Sequence, residues 1–251
     1  MREKVMLISG CSHAAGSEID GTVDSKFNRQ NSYGNLLAEK LGYRPINIAL
    51  NGNSNGGILR NTIEWITTEY DPRKIDLFVL ASWTEPYRID FPLEEGDRNG
   101  PPTFPDWKSK TTDNYFQANV FGTSNDRSKQ RLIKHVKPFL TECPAYFEIY
   151  TLNLMLHLQY FLRFYRIKYL MVNTMHSIVP ELQKFSKVYV DQIDPEFFYK
   201  FGYAEGYPGF YWHYKELGYD NKNSTLDHHD AEPHKLFAEE LYQYIRGKYD
   251  K

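Results

Sequence analysis

The chain has 251 residues, enough for one large α/β domain or two small ones. Its apolar fraction of 41% and charged fraction of 25% are typical of soluble globular proteins. A net charge of −2 provides no basic surface, which argues against nucleic acid as a partner. No segment approaches the roughly 20 apolar residues that span a bilayer, and Cys11 and Cys143 form neither a disulfide framework nor a metal-binding pattern.

The amino terminus begins with a short apolar run, residues 5–9 (VMLIS), between charged residues and a glycine. This run is too short for the apolar core of a signal peptide and instead predicts a first strand that is buried on both faces. We therefore expect a reducing, cytoplasmic setting, or a virion protein made in one.

Predicted strands and helices alternate along the chain from this point. Strands are predicted over residues 5–9, 45–50, 75–81 and 167–173, and helices over residues 32–41, 58–70, 128–166 and 233–248. Such alternation is typical of a mostly parallel sheet built from crossover connections. Because no internal repeat or domain linker is evident, we expect a single domain over residues 1–251.

Two regions break the alternation. Residues 90–125 are rich in Pro, Gly, Asp and Asn, so we expect a loop insertion without regular structure. Residues 191–219 form an aromatic-rich excursion, whose rings suit three roles: lining a carbohydrate or acyl site, packing against the sheet, or self-association into a homo-oligomer. The sequence does not choose among these three roles.

Three predicted strands end in polar turns, over residues 10–13, 51–55 and 82–88, which a parallel sheet brings to one edge. Ser12 follows the first strand, where a serine can attack a carbonyl if a base accepts its proton. Free backbone N–H groups of the same turn would stabilise the oxyanion. The simpler alternative is that Ser12 caps a turn or helix, as serine often does.

A second cluster, LDHHDAEPH, precedes the last predicted helix and contains two adjacent histidines. A histidine supplies a base near neutral pH, and a nearby carboxylate orients its ring. The same residue types also cap helices or bind a divalent metal, here with the candidate ligands Asp227, His228, His229, Asp230, His234 and His13. Consecutive residues rarely aim their side chains at one point, and no HExxH pair is present, so we expect no metal and no cofactor.

These short motifs resemble the blocks of the SGNH (GDSL-type) hydrolase family. GCSHAAG resembles the first block, with Gly10-Cys11-Ser12 in place of Gly-Asp-Ser, and NIALNGNSNGGI resembles the second. LDHHDAEPHKLFAEEL resembles the last block, in which a carboxylate and a histidine precede a helix. The blocks extend over nearly the whole chain, and their style is similar to that of SGNH-like proteins of bacteriophages. The resemblance implies a flavodoxin-like, three-layer α/β/α sandwich and ester hydrolysis.

By position, the resemblance makes Ser12 the nucleophile, His229 the general base and Asp227 the residue that orients this base. The backbone N–H groups of Ser12 and Gly52 would form part of the oxyanion hole. His228 is the rival base, because two adjacent histidines leave the register open by one residue. We favour His229, since Asp230 follows it at the place where the family commonly has proline.

The sequence departs from the family pattern at two places. Cys11 replaces an aspartate that is not the nucleophile. After the third strand, residues 81–85 (ASWTE) lack the asparagine that donates to the oxyanion, and loss of such a donor costs roughly 10²–10³ in turnover. Asn55, or Asn53, would then substitute from the neighbouring turn.

The predicted substrate-binding residues are Trp83, Glu85 and Arg88, with His13 at the rim of the pocket. For the first three, the alternative is a solvated loop with one anchoring tryptophan. We therefore expect a serine esterase that acts on a small-molecule or carbohydrate ester, with an O-acetylated carbohydrate as the favoured substrate. The alternatives are a catalytically impaired relative that binds a glycan or serves in assembly, and a metal-dependent hydrolase.

Overall fold

A computed structural model describes the chain over residues 2–92, 115–119, 130, 133–135, 137–138, 142–143, 145–175, 187–200, 209–219, 221 and 224–249. The strands in this part are β1 (Glu3–Ser9), β2 (Arg44–Asn47), β3 (Ile75–Trp83), β4 (Arg88–Pro92), β5 (Tyr115–Asn119) and β6 (Lys168–Asn173). The helices are α1 (Ser12–Ala15), α2 (Lys26–Gln30), α3 (Tyr33–Lys40), α4 (Asn55–Glu69), α5 (Ala145–Phe164), α6 (Lys187–Val190), the 3₁₀ turn Pro195–Phe197, α7 (Gly209–Glu216) and α8 (Ala231–Tyr249).

Four of these strands form one sheet in the order β2-β1-β3-β6, and every neighbouring pair is parallel. When these four strands are numbered by their order in the chain, they lie across the sheet in the order 2-1-3-4, as in flavodoxin-like folds. The chain changes direction across the sheet between β1 and β3, and ligands of such folds bind outside the carboxyl ends of the strands at this point.

Helices cover both faces of the sheet because successive strand residues point to opposite sides. Val5 and Leu7 belong to a core that includes residues of α4 and α5. Met6 and Ile8 belong to a second core, with residues of α3, α7 and α8. The predicted α/β class, with a parallel sheet between two helical layers, is therefore confirmed.

The second strand is shorter than predicted and ends at Asn47, because this side chain interrupts the regular pattern. Its Oδ1 accepts the N–H of Ala49 at 3.0 Å, and its Nδ2 donates to the carbonyl of Ala14 at 3.0 Å. The chain continues alongside β1, since the N–H of Ile48 donates to the carbonyl of Ile8 at 2.8 Å. This bonding holds the following turn close to α1.

Helix α4 begins three residues earlier than predicted. Ser54 caps it, and its Oγ accepts the N–H of Gly57 at 2.9 Å. The cap draws Asn55 into the first turn of the helix, where the sequence predicted part of a polar loop.

The expectation that residues 90–125 lack regular structure is wrong for the part that is described. Strands β4 and β5 pair in antiparallel fashion, with Arg88 opposite Asn119. Residues 93–114 and 120–125 lie outside the described residues. The single-domain assignment over 1–251 stays a prediction.

The aromatic excursion at 191–219 packs into the fold where it is described. Phe198 is 1% exposed and joins the core that includes α4 and α5, whereas Phe210 is fully buried in the core of α3 and α8. Residues 201–208 lie outside the described part. For the buried rings, packing against the sheet was the correct alternative.

Candidate active site

Ser12 is the first residue of α1 and follows directly on the tight turn at the carboxyl end of β1. Gly10 allows this turn, because a Cβ there would lie 2.5 Å from Ala14 Cβ and 2.8 Å from Ser82 Cβ. Ser12 is 6% exposed, and its hydroxyl donates no hydrogen bond to another described residue. Its neighbour Cys11 is buried, with Sγ 3.4 Å from Thr174 Oγ1.

A histidine–carboxylate pair lies next to this turn. Nδ1 of His228 is 2.9 Å from Oε2 of Glu18, and the two side chains are 7% and 1% exposed. The ring of His13, the residue after Ser12, lies 4.7 Å from the ring of His228 between centroids. The fold therefore brings His228 from the last loop to the segment that carries Ser12.

His229, the predicted base, points in another direction. Its Nε2 lies 2.8 Å from the backbone carbonyl of Tyr211, and its ring packs edge-on against Phe210 with centroids 5.4 Å apart. A carbonyl oxygen only accepts, so Nε2 carries the proton. His229 thus links the last loop to α7.

Asp227 makes no hydrogen bond to His229 in the described structure, which corrects the prediction that it orients this ring. Its carboxylate accepts hydrogen bonds from the Tyr211 hydroxyl and, at 2.9 Å, from Lys215 Nζ. The side chain is 69% exposed. The backbone explains the difference, because Asp227 has a positive φ of 64° and its side chain leaves the loop on the solvent side.

His13 is buried rather than placed at a pocket rim. It is 4% exposed, and its ring lies 5.3 Å from that of Tyr211 and 6.1 Å from that of Phe210. Its Nδ1 is buried without a hydrogen-bond partner in the described part of the chain. Burial lowers the pKa of His13 well below its usual value, and the charges of His228 and Arg88 act in the same direction.

The asparagines proposed as oxyanion donors hold the backbone instead. Nδ2 of Asn55 donates to the carbonyl of Thr84 at 3.1 Å and to Thr151 Oγ1 at 3.2 Å, and its Oδ1 accepts the N–H of Thr84 at 2.9 Å. Nδ2 of Asn53 donates to the carbonyl of Gly10 at 3.0 Å. The prediction for Asn55 is therefore wrong, because its amide group ties α4 to the end of β3 and to α5.

Gly52 lies in the turn that precedes α4, where it is exposed and has a φ of 73°. The turn is held against the Ser12 segment, since the N–H of Leu50 donates to the carbonyl of Gly10 at 3.1 Å. The oxyanion role of the backbone N–H groups of Ser12 and Gly52 stays a prediction.

Of the three residues predicted to bind substrate, Trp83 is the last residue of β3 and does not line a surface. It is 1% exposed and belongs to the core that includes α4 and α5. Glu85 and Arg88 pair with each other, with Nε 3.2 Å from Oε2. Burial lowers the pKa of both His13 and His228, and the charge of Arg88 acts in the same direction on each.

Electrostatics leave His228 neutral and Glu18 ionised at pH 7. Burial lowers the pKa of His228 below its usual value, although the Glu18 carboxylate opposes this effect. Burial alone would raise the pKa of Glu18, but hydrogen bonds from Ser224, Thr225 and His228 outweigh it and lower the pKa to about 2. A neutral histidine beside a fixed carboxylate is the state that a general base requires.

The candidate metal ligands do not converge. His234 accepts the N–H of Tyr33 through Nδ1 at 3.2 Å, while His228, His229 and Asp227 face the separate partners described above. Within the described residues, no group of three or more His, Cys, Asp or Glu side chains is arranged to hold a metal ion.

A groove of about 580 Å³ lies away from this cluster, between α4 and α5. Its lining includes Arg60, Asp90 and Tyr150, and none of its residues is a predicted site residue. A large concave surface and the histidine–carboxylate chemistry are thus on different parts of the molecule. We assign the candidate site by its chemistry.

Sequence reasoning missed Glu18. No local spacing connects it with His228, which is 210 residues away. The only signal is its position in SEIDG, shortly after Ser12, at the edge where the sheet was expected to bind its ligand.

The solved structures with similar folds include esterases, but with low similarity. A member of the lipolytic protein G-D-S-L family from Veillonella parvula is 9% identical with a TM-score of 0.46, over 99% of each chain. A carbohydrate esterase family 2 enzyme from Corynascus thermopiles is 14% identical with a TM-score of 0.49, over 98% of this chain and 66% of that one. An acetyl xylan esterase from Butyrivibrio proteoclasticus is 14% identical with a TM-score of 0.43, over 100% and 65%.

The chain was also compared with curated proteins and with models of protein families. No curated protein matches it, and the expected bacteriophage origin gains no support. Among the described residues, no helix is both long and apolar enough to cross a membrane.

A family model covers residues 18–249, which include Glu18 and His228 but begin after Ser12. Because this match spans most of its length, the chain belongs to DUF6071, a family of unknown function.

Proposed function

We propose that this protein is a serine ester hydrolase in which Ser12 is the nucleophile and His228 the general base. The observation that carries the proposal is the buried His228–Glu18 pair beside the turn that holds Ser12. Because the ionised carboxylate only accepts, Nδ1 of His228 carries the proton and Nε2 keeps its lone pair. Nε2 is therefore the nitrogen that can accept a proton from a hydroxyl.

The reaction follows from these roles. Ser12 Oγ attacks the ester carbonyl, and its proton passes to His228 Nε2. The tetrahedral oxyanion is stabilised by backbone N–H groups, with Ser12 and Gly52 as the proposed donors. The alcohol leaves with the proton from Nε2. Water then attacks the acyl-enzyme and gives a proton to Nε2; the bond between Ser12 Oγ and the acyl carbon breaks, Oγ takes that proton back, and the carboxylic acid leaves.

As substrate we propose a short-chain ester, with an O-acetylated carbohydrate as the favoured class. Aromatic side chains support this choice, because flat rings stack on sugar faces. Tyr211 is buried beside His13, whereas Trp212, whose ring lies 5.0 Å from that of Tyr211, is partly exposed and is the ring that supports this choice. The expected homo-oligomer and the expected absence of nucleic-acid and membrane partners stay predictions.

One observation favours a second function, a binding protein without turnover. The amides of Asn53 and Asn55 are bonded to other groups, so neither replaces the missing oxyanion donor of the third block. A protein that binds a glycan or serves in assembly would use the surface around Ser12 and His228 without hydrolysing an ester.

The test is covalent labelling with a fluorophosphonate probe, together with turnover of p-nitrophenyl acetate. We expect the wild type to label and turn over, and Ser12→Ala to do neither. Ser9→Ala is the matched control, since Ser9 is a buried serine on β1 whose Oγ donates to the carbonyl of Ile58 at 3.3 Å. A folded wild type that neither labels nor turns over would refute the hydrolase and favour the binding role.

A further inference from the structure

Glu18 is bonded far more completely than a surface carboxylate. Its side chain is 1% exposed and accepts hydrogen bonds from five donors on the last loop. Four of these lie in residues 224–226: Ser224 Oγ, Thr225 Oγ1 at 2.6 Å, and the N–H groups of Thr225 and Leu226, each at 3.0 Å. The fifth is His228 Nδ1 at 2.9 Å.

The backbone at Glu18 is also unusual. Its φ of 63° lies in the left-handed region, which residues other than glycine, asparagine and aspartate seldom adopt. Hydrogen bonds hold it there, because its N–H donates to the carbonyl of Thr22 at 2.9 Å and its own carbonyl accepts Asn221 Nδ2 at 3.0 Å. Strained backbone that the surroundings maintain is concentrated at functional sites.

The same loop fixes the other member of the pair. The backbone N–H of His228 donates to Ser224 Oγ at 2.7 Å, and that hydroxyl donates to Glu18. The position of the His228 ring therefore depends on Glu18 both directly and through Ser224.

We propose that Glu18 is the positioning carboxylate of the Ser12–His228 pair, the role that the sequence suggested for Asp227. This inference rests on the proposed function. Glu18 fixes the tautomer with the proton on Nδ1, so that Nε2 faces the reaction as a base. When the Ser12 proton reaches Nε2, the ionised carboxylate stabilises the imidazolium and stays ionised itself, and the proton then leaves with the alcohol.

The decisive variant is Glu18→Gln, which keeps the shape of the side chain and removes its charge. We expect kcat/KM for p-nitrophenyl acetate to fall by about 10²–10⁴-fold, the range seen when an orienting carboxylate is lost. The acidic limb of the pH profile moves to lower pH, because the lost charge had raised the pKa of His228. A merely structural role for Glu18 would not move this limb.

Asp20→Asn is the matched control. Asp20 lies in the same turn, accepts hydrogen bonds from Thr22 and Ser25, and makes no contact with His228. We expect this variant to keep the wild-type turnover and the wild-type acidic limb. If both variants lose activity equally, or if Glu18→Gln keeps the wild-type rate and limb, the positioning role is refuted while the hydrolase stands.

A measurement on the wild type covers the case in which Glu18→Gln does not fold. The ¹⁵N shifts of the His228 ring, assigned by their absence in His228→Asn, report which nitrogen carries the proton at pH 7. We expect protonated Nδ1 and unprotonated Nε2; the opposite tautomer overturns the inference. A wild type that shows the expected tautomer but neither labels nor turns over would refute the proposed function, and the positioning role with it.

Discussion

His228 and His229 are adjacent in the chain, yet their rings serve different parts of the molecule. His228 faces a carboxylate beside the Ser12 turn, and His229 faces a backbone carbonyl of α7. The two partners impose opposite tautomers, since one requires a proton on Nδ1 and the other a proton on Nε2. Only the first arrangement leaves Nε2 free to act as a base.

Replacing each histidine in turn separates these roles. We expect His228→Asn to lower kcat/KM by about 10⁴–10⁶-fold, as in hydrolases that lose the base, and to lower the free energy of unfolding by about 1–3 kcal/mol, because the buried Glu18 carboxylate loses a donor. His229→Asn should keep fluorophosphonate labelling but lower the free energy of unfolding by about 1–3 kcal/mol, because the buried Tyr211 carbonyl loses its donor. The measurements are turnover and urea unfolding; the reverse pattern would restore His229 as the base.

At the scale of elements, the turn between β1 and α1 depends on close packing. β3 runs beside β1, and Ser82 Cβ fills the space where a side chain at residue 10 would lie. The same junction presents Ser12 to the carboxyl edge of the sheet. A change at Gly10 therefore alters both the stability of the strand pair and the position of Ser12, the proposed nucleophile.

We expect Gly10→Ala to destabilise the fold by about 1–3 kcal/mol, the usual cost of overpacking a tight site. It should also abolish labelling, because the added methyl group displaces α1 from Ser82. The control is Gly247→Ala in α8, where a Cβ meets nothing within 4 Å and helix propensity predicts a gain of up to about 1 kcal/mol. Urea unfolding checks both changes, and a Gly10→Ala variant as stable as the wild type would contradict this account of the turn.

At the scale of the whole molecule, buried titratable groups join distant parts of the chain. His234 on α8 accepts the N–H of Tyr33 and stacks on its ring, with centroids 5.6 Å apart. Glu18 joins the first turn to the last loop. Burial lowers the pKa of His234 to about 3, and the hydrogen bonds of Glu18 outweigh burial to bring its pKa to about 2.

These shifts predict that the fold loses stability in acid. His234 takes up a proton near pH 6.5 in the unfolded chain but only near pH 3 in the folded protein. The free energy of unfolding therefore decreases as the pH is lowered from 6.5 towards 3, by up to about 1.4 kcal/mol per pH unit. His13 adds to the same slope, and Glu18 adds to it between pH 4.5 and about 2. The check is urea unfolding at pH 7, 6 and 5, where His234→Asn should flatten the slope; equal slopes would contradict the assignment.

The sequence predicted the positions of some candidate site residues correctly and those of others wrongly, as Ser12 and Trp83 illustrate. The position of Ser12 directly after β1 was predictable because an apolar run that stops at a glycine marks the end of a buried strand; its role as nucleophile stays a prediction. Trp83 was misassigned because the third strand was ended two residues early. Once the strand runs to residue 83, Trp83 lies on the same face as Leu77 and Val79 and belongs to the core.

The sequence by itself determined the alternation of strands and helices, the parallel sheet and the edge to which Ser12 belongs, since these depend on local hydrophobic periodicity. The tertiary structure decided the partners. Glu18 meets His228 across 210 residues, and the amide of Asn55 is bonded to the end of β3. Which nitrogen or oxygen a side chain faces depends on backbone angles and packing between distant segments, such as the left-handed turns at Glu18 and Asp227, and no local pattern encodes these.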